Sequence, residues 1–67
     1  MEIKPGIYRH YKGGHYFVLG MATHSETEES FVLYADSYGR HWVRPLKMFT
    51  EDVDVDGQRQ PRFAWHR

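Results

Sequence analysis

Apolar and aromatic residues in this chain occur in short runs, separated by glycine, proline or polar clusters at close intervals. After Pro5-Gly6, the segment Ile7 to Lys12 (IYRHYK) reads as a strand, and Gly13-Gly14 supplies the positive φ that a tight hairpin turn requires. His15 to His24 (HYFVLGMATH) is a longer strand, interrupted by Gly20, where a bulge or sharp bend is expected. A polar loop, Ser25 to Ser30, leads into Phe31 to Asp36 (FVLYAD), which is rich in β-formers. The turn Ser37 to Arg40 (SYGR) precedes a short strand, His41 to Arg44 (HWVR). Pro45 to Phe49 (PLKMF) has the length of a single α-helical or 3₁₀ turn. Glu51 to Val55 then alternates, Asp56-Gly57 is the strongest hairpin signal in the chain, and Gln58 to Trp65 returns with Pro61 marking an edge strand or a strand start.

The apolar run Tyr16–Met21 is also compatible with a helix, but flanking glycines and its aromatic and β-branched content favour a strand. Five to six short antiparallel strands at this spacing describe an all-β domain. The helical turn near 45–49, ahead of the closing strand, points to a small SH3-like barrel spanning residues 1–67. The OB-fold competes, but normally needs more residues and a helix between strands.

At 67 residues the chain is near the size where a hydrophobic core alone barely sustains a fold. It has no cysteine, which excludes disulfides and thiolate zinc sites. Stability must then come from aromatic bulk: five Tyr, four Phe and two Trp, each burying about 150–250 Å² when fully enclosed. Nine basic and nine acidic residues cancel, so bulk attraction to nucleic acid or to an anionic membrane is not expected. The signs are nevertheless segregated: residues 25–39 and 48–57 each carry −4, whereas 40–47 and 58–67 each carry +3. No apolar run is long enough to span a membrane, and the N-terminus lacks a signal-peptide pattern, so a cytoplasmic location is the expectation.

The stretches PGIYRHYKGGHYFVLG (5–20), HSETEE (24–29), HWVRP (41–45) with the following Met48-Phe49, and PRF (61–63) resemble small bacterial proteins of the domain-of-unknown-function family 1653. The resemblance runs over nearly the whole chain. It implies an SH3-like barrel standing alone in the bacterial cytoplasm, and it implies no activity.

Among candidate chemistries, five histidines raise the question of a metal site. His10 and His15 have ligand-like spacing, but no third ligand has a clear claim to join them. No serine or threonine carries a nucleophile motif, and His24, Ser25 and Glu26 are adjacent residues that a strand would point to opposite faces. Glu51, Asp52, Asp54 and Asp56 read as solvated edge charges. Metal binding and hydrolysis are therefore minor alternatives; no cofactor is implied, and the expectation is a non-catalytic recognition module.

The more informative signal is the interleaving of aromatic and basic residues. Tyr8, His10, Tyr11 and Lys12 in the first strand, and Tyr38, Arg40, Trp42 and Arg44 around the fourth, form the candidate ligand-binding set. Alternation groups Tyr8, His10 and Lys12 on one side, and Arg40, Trp42 and Arg44 on another. Rings beside cations suit base stacking, at about 1–3 kcal/mol per base, and suit extended peptides equally. Nucleic acid (RNA or other single strands) is the first expectation for a partner and a protein or peptide the second, with no membrane and with a monomeric or weakly self-associating chain. The competing structural reading is that many of these rings are core, and that Arg44 and Arg62 pair with Glu51 or Asp54.

Overall fold

The computed structural model describes residues 3–67, which form seven strands and one helical turn. Strands β1 (Gly6–His10), β2 (His15–Thr23), β3 (Ser30–Ala35), β4 (His41–Pro45) and β7 (Phe63–Trp65) make an antiparallel sheet in the order β4-β3-β2-β1-β7. The helical turn α1 (Leu46–Phe49) follows β4, and β5 (Asp52–Val55) and β6 (Gln58–Pro61) form a separate antiparallel hairpin. The all-β expectation and the helical turn hold. Neither sheet is closed into a barrel, and the strands number seven.

The additional strand arises because Gln58 to Trp65 divides. Pro61 has no N–H to extend a ladder, so β6 ends there, and Arg62 turns the chain from the hairpin onto the edge of the main sheet. β1 also stops earlier than its composition suggests. The His10 carbonyl accepts the Gly13 N–H at 2.8 Å, so Tyr11 and Lys12 belong to the turn and not to the strand. Gly20 marks the expected irregularity: the β2–β3 register shifts between Val18 and Gly20, leaving Leu19 as the extra residue. Asp56 and Gly57 both adopt positive φ, at 52° and 82°, as a two-residue hairpin between twisted strands requires.

One face of the main sheet carries the core, formed by Tyr8, Val18, Val32, Tyr34, Phe49 and Phe63, with Ile3, Tyr16 and Leu46 packed against it. Pro45 starts α1, and Thr50 closes it through its N–H (3.0 Å) and its hydroxyl (2.9 Å), both donated to the Leu46 carbonyl. That single turn delivers Phe49 onto the sheet, where its ring stacks on Phe63 at 4.2 Å and 4°. Tyr8 meets Phe49 and Trp65 edge-on, both at 5.5 Å. Trp65 in turn lies against Gly6, where a β-carbon would approach Cζ3 of its ring to 2.5 Å; only glycine fits beneath it.

The stack locates the stability. Phe49→Ala is expected to cost about 3–5 kcal/mol, the range for removing a buried ring, with the urea midpoint falling accordingly. Tyr38→Ala, which removes an 88% exposed ring, is expected to stay within about 0.5 kcal/mol of the parent.

Candidate functional site

At the end of the sheet where the β1–β2 and β3–β4 turns meet, the core face opens into a cleft of about 420 Å³. Tyr16, Tyr34, Phe63 and Trp42 form its aromatic walls, and His10, Tyr38, Arg40 and Arg44 bring five of the eight candidate binding residues, Trp42 included, to one place. The other three lie elsewhere. Tyr8 is buried, donates its hydroxyl to the Lys4 carbonyl at 2.7 Å and serves the core, which corrects its assignment to a binding surface. Tyr11 and Lys12 sit in the β1–β2 turn outside the lining; Tyr11 packs its ring 4.8 Å from His10, and the Lys12 ammonium lies 5.7 Å from the Tyr11 ring. Alternation grouped Tyr8 with His10 correctly, but the side they share faces inward.

A residue that sequence reasoning passed over organises the β3–β4 end. Asp36 Oδ1 accepts the backbone N–H groups of Tyr38 (2.9 Å) and Arg40 (3.0 Å), and Oδ2 accepts the Trp42 indole N–H at 2.9 Å. The Arg40 Nε lies 3.6 Å from the same carboxylate, and its guanidinium rests 5.1 Å from the Trp42 ring centre. The Trp42 indole, with the two backbone donors and the Arg40 charge, holds the Asp36 carboxyl below its ordinary range despite some desolvation. The signal was present in Asp36-Ser37-Tyr38-Gly39: aspartate at the first position of a turn and glycine at the fourth. With four groups already converging on it, Asp36 is a positioning residue that fixes the angle of Trp42.

The two arginines offered a structural role behave differently. Arg62 Nη2 pairs with Glu51 Oε1 at 2.8 Å, tying the hairpin to the start of the final strand. The Arg44 side chain makes no ion pair or hydrogen bond with any described residue; its buried Nε, like that of Arg62, has no acceptor, but Arg62 has its Nη2 on Glu51 whereas Arg44 has no such partner among the described residues. Its guanidinium lies 5.8 Å from the Phe63 ring, on the floor of the cleft. Leaving a charged donor without an acceptor is costly in a native fold.

His10 senses that charge. Burial lowers its pKa, and Arg44, Arg62 and Lys12 push it further in the same direction. Its Nδ1 accepts the Lys12 backbone N–H at 3.1 Å, so the neutral ring carries its proton on Nε2. His15 pairs with Arg9 in the ladder and packs 5.3 Å from His66; it joins His10 in the lining of the cleft, but the two imidazoles form no ring pair with each other. Among the described residues no group of three or more metal-ligating side chains is found.

The model of a family described as "Protein of unknown function (DUF1653)" matches residues 6–65. The chain belongs to this family. A crystal structure of a family member from Bordetella bronchiseptica superposes with a TM-score of 0.87 at 44% identity, covering 96% of this chain and 87% of that one. No match is found among curated proteins. Membership thus agrees with the resemblance drawn from the sequence motifs and leaves the chemistry to the cleft. No helix among the described residues is long and apolar enough to cross a membrane.

The depressed His10 pKa fixes a pH dependence. The unfolded chain takes up the imidazole proton near the ordinary value of about 6.5, before the folded one does. The contribution of neutral His10 is therefore complete above that value and is lost as pH falls through the folded pKa. NMR titration should place the His10 midpoint below about 6.5, and Arg44→Gln should move it upward by removing a neighbouring positive charge.

Proposed function

We propose that this protein is a non-catalytic recognition module that binds single-stranded nucleic acid, RNA foremost, in the aromatic cleft. The observation that carries this reading is Arg44, a guanidinium without a carboxylate partner among the described residues, lying against the buried Phe63 ring in a cleft whose rim holds the exposed Trp42 and Tyr38. Phosphate would supply the acceptors that Arg44 Nε lacks, in the fork geometry that suits arginine. Trp42 and Tyr38, 43% and 88% exposed, offer faces for bases, and Arg40 stacked over Trp42 adds a second cation. The open cleft has room for about one nucleotide, so neighbouring bases would extend over Tyr38 and the β1–β2 turn with Tyr11 and Lys12. In this reading the sheet with its crossing hairpin is an SH3-like scaffold in a bacterial, cytoplasmic protein, with its ligand at the turn-lined end.

Catalysis is left out of the proposal because no hydrogen bond joins a hydroxyl of the cleft to His10 or His15, the imidazoles in its lining. Ser37 is the aliphatic hydroxyl in its lining, beside the phenols of Tyr16, Tyr34 and Tyr38, and the neighbouring Asp36 carboxylate is already engaged by Trp42, Tyr38 and Arg40.

Fluorescence anisotropy with a labelled oligouridylate and its DNA counterpart tests the reading. With Arg40 and Arg44 as the phosphate contacts, log K should fall with log salt at a slope of about −1.4, and Arg44→Ala should reduce its magnitude by about 0.7. Tyr38→Ala should weaken binding at least about 5-fold through lost stacking, without affecting stability. Absence of binding at low salt, or binding indifferent to both substitutions, would overturn it. Salt-insensitive capture of a peptide in the same cleft would assign the surface to protein recognition.

A further inference from the structure

The opposite face of the main sheet is uncovered. An antiparallel sheet with one solvated face normally alternates apolar-in with polar-out, yet β3 reads Phe31-Val32-Leu33-Tyr34-Ala35 without a polar residue. That is the pattern of a strand buried on both sides. Cross-strand pairing assembles the outward apolar residues: Ile7 opposite Phe17, Phe17 opposite Ala35, and Leu33 opposite Val43. Phe17 and Val43 are 49% and 57% exposed, and Leu19 of the bulge is 42% exposed.

Two global quantities show the same missing layer. The accessible surface is 5106 Å², whereas a monomeric protein of 8.0 kDa scales to roughly 4,450 Å². The excess, on the order of 650 Å², is close to the roughly 800 Å² that each partner buries in a standard interface. The radius of gyration is 12.2 Å and the shortest extent 17 Å, against a radius of about 11 Å for a single domain of this length.

We propose that this face packs against the same face of a second copy, forming a two-fold symmetric sandwich of sheets. The charge pattern selects a second copy over an unrelated apolar partner. At the end bearing the β1–β2 and β3–β4 turns the outward side carries Arg9, His15 and His41, while the β2–β3 loop at the other end carries Glu26, Glu28 and Glu29. A two-fold axis lying between the faces and across the strands sets the basic end of each copy over the acidic end of the other. Shape agrees: shallow hollows of about 210 Å³ beside Phe31 and Val43, and about 190 Å³ beside Ile7 and Phe17, lie towards the two ends of the apolar ridge. Each is a seat for a side chain projecting from the other copy. The cleft shares His15, Tyr16, Asp36 and Ser37 with the second hollow at the edge of the face, but its aromatic walls belong to the core side, so a dimer of this form leaves both clefts open.

Sedimentation equilibrium from micromolar to millimolar protein tests the proposal. The expected mass is twice 8.0 kDa, reduced to that of one chain by Phe17→Glu or Val43→Glu with native amide dispersion retained. Arg9→Glu should weaken the dimer about 5-fold or more, and adding Glu26→Lys in the same chain should restore it. That rescue is specific to a partner identical to the chain itself. A monomer at every concentration would overturn the proposal and give the face to a different protein; so would a dimer unaffected by Phe17→Glu and Val43→Glu. Nucleic-acid affinity per chain should be unchanged in these variants, which separates this proposal from the reading of the cleft.

Discussion

The stacking of Phe49 on Phe63 is the contact on which the rest of the structure depends. It joins the single turn of α1 to the last strand, two elements that are too short to hold their positions alone. Tyr8 and Tyr34 pack around the stack at 5.5 and 5.7 Å, so the core is assembled from rings where a larger domain would use aliphatic layers. A cysteine-free chain of this size has few other sources of burial. The same contact fixes where the sheet is covered and where it is not.

The cleft is a consequence of that arrangement. Phe63 faces Phe49 on one side, meets the His10 ring at 4.8 Å and lies 5.8 Å from the Arg44 guanidinium. Packing for stability thereby sets rings around Arg44, which pairs with no carboxylate among the described residues. Arg62 lies close enough to Glu51 to be neutralised, and Asp36 is committed to Trp42, Arg40 and Tyr38. Positive potential is therefore concentrated at one end of a neutral molecule, and it acts on His10. Segregated charge in the sequence becomes a local field without any net charge.

Much of the fold was legible because short-range chemistry dictates it. Asp56-Gly57 encodes its turn, Pro45 precedes the helical turn, and Gly20 flags the bulge. Less of the site was legible, for physical reasons. Period-two alternation groups Tyr8 with His10, but cannot tell which side of a sheet meets a helical turn that comes only at Leu46–Phe49, so Tyr8 was expected outside and lies in the core. Lys12 drops out because the hairpin turn begins at the His10 carbonyl, a choice set by hydrogen bonding and not by composition. Arg44 and Arg62 look alike in sequence; only their tertiary distance from Glu51 separates them.

If Arg44, whose Nε has no acceptor among the described residues, takes an anionic ligand as proposed, its own side-chain Nε–H resonance reports it most directly. In ¹⁵N-labelled protein titrated with a short oligouridylate, the Arg44 Nε–H signal should shift progressively, together with the amides of Asp36–Arg44. The Arg62 Nε–H, on a guanidinium already held by Glu51, should move little. An Arg44 signal that stays fixed while the oligonucleotide binds, or shifts confined to the outer face of the sheet, would contradict that proposal.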